Sequence, residues 1–133
     1  MSAALRQHVR DRAGARCEYC RFHEEHLLLW PFHLEHIVAE QHGGADELEN
    51  LAWSCQRCNL HKGTNLSAID PDSGLVVRLF HPRRDVWPEH FALEGGGRIR
   101  GVTPAGRATV WLLRMNAAER IEIRRLLIST GRW

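Results

Sequence analysis

Apolar positions recur along the chain with two different periods, and the changes between them mark the elements. Over residues 2–13, Leu5, Val9 and Ala13 fall on one stripe while Arg6 and Arg10 fall on another, which predicts a helix stopped at Gly14. Residues 27–38 are apolar and β-like but broken by Pro31, so a strand is predicted around Phe32-His33-Leu34-Glu35-His36-Ile37. The polar run Gln41-His42-Gly43-Gly44-Ala45-Asp46 predicts a loop. Asn50-Leu51-Ala52-Trp53-Ser54 predicts a second short strand, and Asn59-Leu60-His61-Lys62-Gly63 a short helix ended by its glycine.

Beyond Asn65 the texture changes. Asp70-Pro71-Asp72-Ser73-Gly74 is a turn signal leading into a predicted strand over 75–80, and two more short strands are expected over 90–93 and 98–102. Thr103-Pro104 starts a helix predicted to reach Met115, with Thr as N-cap and Pro at the first helical position. Asn116 with Glu119 reads as a capping box for a last helix ending near Gly131. No repeat or low-complexity segment interrupts this order. A single α+β domain over 1–133 is therefore expected, with an N-terminal functional unit over 14–64 and a C-terminal α/β extension over 66–133 packed on it.

Composition alters the picture only slightly. No apolar run approaches the ~20 residues that span a bilayer, and the charged N-terminal stretch has no signal-peptide core. A cytoplasmic protein without membrane attachment is expected. The formal net charge of +2 does not announce a nucleic-acid binder. Of the 18 basic residues 17 are Arg, the better fork for phosphate, and Lys62 is the only lysine. That bias is also what a GC-rich coding sequence produces. Trp30, Trp53, Trp87 and Trp111 read first as packing residues.

The four cysteines change it more. Cys17-x-x-Cys20 and Cys55-x-x-Cys58 are two knuckles with 34 residues between them. In a reducing compartment the doubled pattern favours metal over disulfides, and four thiolates make a closed tetrahedral zinc site. Such a site is structural, because it keeps no position open for water or substrate. A redox pair, a disulfide pair or unrelated buried cysteines are the competing readings. The separation requires a folded insertion that returns to the knuckle.

The residues in and around that insertion carry the chemistry. The order Glu35-His36-Ile37, His42-Gly43-Gly44, Asn50-Leu51, Cys55-x-x-Cys58-Asn59-x-x-Lys62-Gly63 resembles the HNH endonuclease family, of the His-Me finger or ββα-metal group. The resemblance covers residues 14–64. It implies a ββα-metal unit stapled by zinc at Cys17, Cys20, Cys55 and Cys58, with His36 as the base that activates water. It further implies that Glu35 and Asn59 hold one catalytic divalent cation, Mg²⁺ or Mn²⁺, and that Asn50 holds the loop or the His36 ring in place. Glu35 stands where the family more often has Asp, and Asn59 where it has a third histidine.

These roles fit phosphodiester hydrolysis, which needs activated water, charge stabilisation on phosphate and help for the leaving oxygen. One difficulty stands against them. Neighbours on a flat strand face opposite ways, so Glu35 and His36 share a site only if the strand bends. His33, on the face of Glu35, is a candidate extra ligand or phosphate contact, and His61 a weaker one. Lys62, Arg57, Arg83 and Arg84 are candidate nucleic-acid contacts, the last pair in a Pro-containing loop expected to be exposed. The resulting expectation is a metal-dependent DNA endonuclease, monomer or homodimer. The alternative is a catalytically silent zinc-stapled module that binds nucleic acid.

Overall fold

The computed structural model describes residues 2–133. They form two compact units: residues up to Leu66 together with His81–Arg84, and Ser67–Phe80 together with Asp85–Trp133. The division falls at the change of texture near residue 66. The exchange of His81–Arg84 into the first unit carries no sequence signal.

In the first unit, helix α1 (Ala3–Arg12) is capped by Ser2, whose hydroxyl accepts from Leu5 N–H at 3.1 Å. Its arginines serve the fold. Arg6 donates to Phe32 C=O at 2.9 Å and lies over the Trp53 ring, 4.6 Å from its centroid. Arg10 pairs with Glu24, and Arg12 donates to the carbonyls of Leu48 and Leu51. Strands β1 (His33–His36) and β2 (Leu51–Ser54) pair antiparallel, with His33 opposite Ser54 and His36 opposite Leu51. β2 is buried throughout, whereas only Glu35 of β1 is fully buried. Helix α2 (Gln56–Lys62) follows directly. It starts three residues before the expected Asn59 because Cys55 is its N-cap, the sulfur accepting from Cys58 N–H at 3.4 Å.

The second unit begins with a hairpin of β3 (Ser67–Ile69) and β4 (Val76–Arg78). β3 was not expected from the sequence. Its turn is closed by Asp70, whose carboxylate accepts from Asp72 N–H, the Ser73 hydroxyl and the Arg107 guanidinium. A short helix α3 (Trp87–His90), also unanticipated, leads into the antiparallel hairpin of β5 (Phe91–Leu93) and β6 (Ile99–Gly101). Helix α4 (Pro104–Leu112) is capped by Thr103 as expected, and packs hard on this hairpin. A Cβ at Gly101 would strike the backbone of Arg107, and one at Gly106 would strike His90 C=O.

Helix α5 (Ala118–Ser129) ends the chain. The expected capping box does not form, and Ala117 is the N-cap without a side-chain bond. Asn116 instead accepts from Ile99 N–H and donates to Ile99 C=O, both at 2.8 Å, clamping β6 like an extra strand residue. Arg120 and Arg124 are buried and donate to backbone carbonyls, Arg120 to Leu113 and Arg124 to Gly97 and Met115.

Candidate active site and metal centre

The cysteine knuckles meet. Cys17, Cys20, Cys55 and Cys58 are buried and their sulfur atoms lie within 4.8 Å of one another. None is in a disulfide, and the Cys20 and Cys55 sulfurs stand 3.7 Å apart. Thiolates on a tetrahedral zinc at ~2.3 Å would be separated by about 3.8 Å, so the geometry is that of a zinc knuckle. Cys20 N–H donates to Cys17 and Cys58 N–H to Cys55, the amide–sulfur bonds that disperse thiolate charge. Burial is the main influence pushing the Cys17 and Cys58 thiols well above their ordinary range, so four thiolates in this space call for a cation.

Around the knuckle, Glu18 ties the first Cys-x-x-Cys loop to β2. Its backbone N–H donates to Trp53 C=O at 2.8 Å, and its carboxylate accepts from Trp53 N–H at 2.7 Å. The same carboxylate is paired with Arg83. Arg83 is thus not the exposed phosphate contact the sequence led us to expect: its side chain is 12% exposed and faces the knuckle loop. Burial lowers its guanidinium to about 10. Arg84 is exposed, and Arg57 is half-buried on α2.

On β1, alternation separates the two residues that the resemblance unites. Glu35 points inward and is 5% exposed. Its carboxylate meets Lys62 Nζ at 2.8 Å and the Tyr19 hydroxyl, and burial nevertheless raises it above the usual carboxylate range. Lys62, a candidate nucleic-acid contact by sequence, is 2% exposed. Besides Glu35, its ammonium donates to the carbonyl of Ile37 at 2.9 Å. The reason is positional: Gln56, Asn59 and Lys62 recur at helical spacing on α2, against the side of β1 that carries His33 and Glu35. His33 is accordingly hydrogen-bonded to Gln56, and His61 is half-buried.

His36 lies on the other face with its side chain 18% exposed. Its Nε2 is 2.6 Å from Asp46 Oδ1 and 3.7 Å from Glu40 Oε1. These three residues offer ligand atoms within 4.8 Å of one another. Neither acid was singled out from the sequence, because nothing local distinguishes a loop carboxylate that folds back on a strand from one in solvent. What folds it back is Asn50. Its side chain accepts from Val38 N–H at 2.8 Å and donates to the carbonyls of Val38 and Ala45 at 2.9 Å. Gly44 lies so close that a Cβ there would overlap Val38 C=O. The Gly pair and the asparagine thus fix the path of the loop that presents Asp46.

A two-stranded antiparallel hairpin followed at once by a short helix, with histidine on the first strand and cysteines stapling the ends, is the ββα-metal arrangement in a mixed α+β chain. Residues 17–65 match the model of the HNH endonuclease family, and the hairpin and helix there are consistent with the ββα-metal fold. Comparison with curated proteins and with solved structures gives no significant match. An HNH segment points to a nuclease or to nucleic-acid binding, with a divalent metal at its centre. No helix among the described residues is long and apolar enough to cross a membrane.

Proposed function

We propose that the protein is a metal-dependent DNA endonuclease in which His36 is the general base and Asp46 its positioning partner. The observation that carries this reading is the 2.6 Å contact between His36 Nε2 and Asp46 Oδ1 on a partly exposed face of an HNH segment. An Nε2–H donated to the carboxylate leaves Nδ1 as the basic nitrogen, free to take a proton from water attacking phosphorus. The carboxylate also holds the ring at one orientation and stabilises the imidazolium formed as that proton arrives. Zinc at the four cysteines is structural in this reading.

The catalytic cation is less well matched. The resemblance gives it to Glu35 and Asn59, and their placement on facing sides of β1 and α2 supports the pairing. The burial of Glu35 and its ion pair with Lys62 oppose it, since a cation there would have to displace an ammonium. The residues as they stand do not form an open two-ligand site, and no step is derived through the metal. The sealed Glu35 also favours the second reading, a zinc-stapled binder that does not cut. Supercoiled plasmid incubated with purified protein, with and without Mg²⁺ or Mn²⁺, separates the two: metal-dependent nicking supports the nuclease, and retention of DNA without nicking supports the binder.

A further inference from the structure

The second unit carries a groove of about 1060 Å³ between β6 and the C-terminal end of α4. Its lining brings together Trp111, Arg98, Arg100 and Arg114. Trp111 was expected to be a packing residue, yet it is 68% exposed. The three arginines are exposed as well, and none forms an ion pair among the described residues. This sets them apart from the chain's other guanidiniums, most of which are spent on carboxylates or carbonyls of the fold.

The groove is built. Ile99 is 1% exposed, so its strand neighbours Arg98 and Arg100 both project to the opposite, outer side. Asn116 fixes that strand through both backbone groups of Ile99. Arg114 sits at the end of α4 with φ +52°, and the buried Arg120 takes the carbonyl beside it, from Leu113. Trp111 projects from the last turn of α4 into solvent. The acidic lining is weaker than the basic. Asp72 is engaged by Arg107, which leaves Glu94 as the one carboxylate there without an ion pair among the described residues.

We infer that this groove binds single-stranded nucleic acid, with a base stacked on Trp111 and phosphates at Arg98, Arg100 and Arg114. An exposed indole flanked by unpaired arginines matches the two recurring contacts of single strands, a stacking platform and backbone cations. A paired base offers no free face to the indole, which is why the single strand is favoured over the duplex. The inference rests on the nucleic-acid reading of the HNH segment but not on cleavage.

The test is fluorescence anisotropy with labelled oligo-dT and oligo-rU of about 12 nucleotides and a duplex of equal length, using the full chain without added Mg²⁺ or Mn²⁺. Trp111→Ala is expected to weaken single-strand binding about tenfold and duplex binding little. The double variant Arg98→Ala, Arg100→Ala should weaken it and reduce the salt slope by about 1.4, at ~0.7 for each single-strand phosphate contact. Both variants alter exposed side chains, and an unchanged melting temperature checks that the fold persists. The two oligomers show whether DNA, RNA or both are taken. Wild-type affinity in either variant, no single-strand binding by the parent, or an equal loss for duplex and single strand on Trp111→Ala would overturn the inference. Plasmid nicking is read separately, so the nuclease reading can fail while this one stands, and the reverse.

Discussion

Side-chain direction decides what each residue of the site can do, and the sequence shows identity more readily than direction. Glu35 and His36 are adjacent in the chain and diverge in space. One is sealed against Lys62 and Tyr19, the other held at the surface by Asp46. Lys62→Ala is expected to cost about 3–5 kcal/mol of stability, because it strands a buried carboxylate. Urea denaturation checks this, and a loss below ~1 kcal/mol, the range of exposed pairs, would mean the pair is not the internal strut described. Asp46→Asn tests the dyad. It keeps the shape but removes the charge behind the imidazole, so turnover should fall by at least about tenfold at unchanged zinc content. Equal turnover in the variant would remove Asp46 from the mechanism. The alternation along β1 is legible in the sequence as a difficulty. Its resolution is not, because Lys62 lies 27 residues beyond Glu35 and Asp46 lies 10 residues beyond His36.

At the scale of elements, the strongest sequence signal was also the one that organises the unit. The doubled Cys-x-x-Cys pattern brings four sulfurs together, and Cys55 also caps α2. Zinc bound there would be folding energy, so Cys58→Ser should lose the metal and the cooperative melting of the N-terminal half together. Elemental analysis of wild type should find one zinc per chain that survives dialysis; no zinc, or an unaltered melt in the variant, would contradict this. The strands of the first hairpin and the Thr103-Pro104 helix start were readable because each has a local signature of alternation or capping. β3 was not: Ser67–Ile69 is short, and what makes it a strand is β4 beyond the Asp70 turn. Asn116 does not cap α5 because its amide has a better partner in the backbone of Ile99, which no local pattern reveals.

Across the whole molecule, arginine richness is mostly a structural resource. Arg6, Arg10, Arg12, Arg83, Arg107, Arg120 and Arg124 close helix ends, neutralise carboxylates or satisfy buried carbonyls. A net charge of +2 therefore hides a short list of cations available to a ligand. The Asp70–Arg107 pair makes one of these roles measurable. Arg107 holds the Asp70 carboxyl well below the usual range, so its contribution is present above the ordinary Asp value of about 3.9 and is lost as pH falls toward the folded value. Wild type should exceed Asp70→Asn in stability at pH 7, and the gap should narrow below about pH 3.9; a gap independent of pH would show that charge is not what the aspartate contributes.

The central claim is that the exposed face of the HNH segment cuts DNA through His36, and one comparison bears on it most directly. Supercoiled plasmid is treated with wild type and with His36→Ala, each with and without Mg²⁺ or Mn²⁺, after zinc content and melting temperature have been matched. Loss of a general base typically costs ~10²–10⁴ in rate. The account predicts metal-dependent nicking by wild type and a loss of that size in the variant, with DNA affinity retained. Nicking at the wild-type rate by His36→Ala, or no nicking by zinc-loaded wild type under either metal, would contradict it.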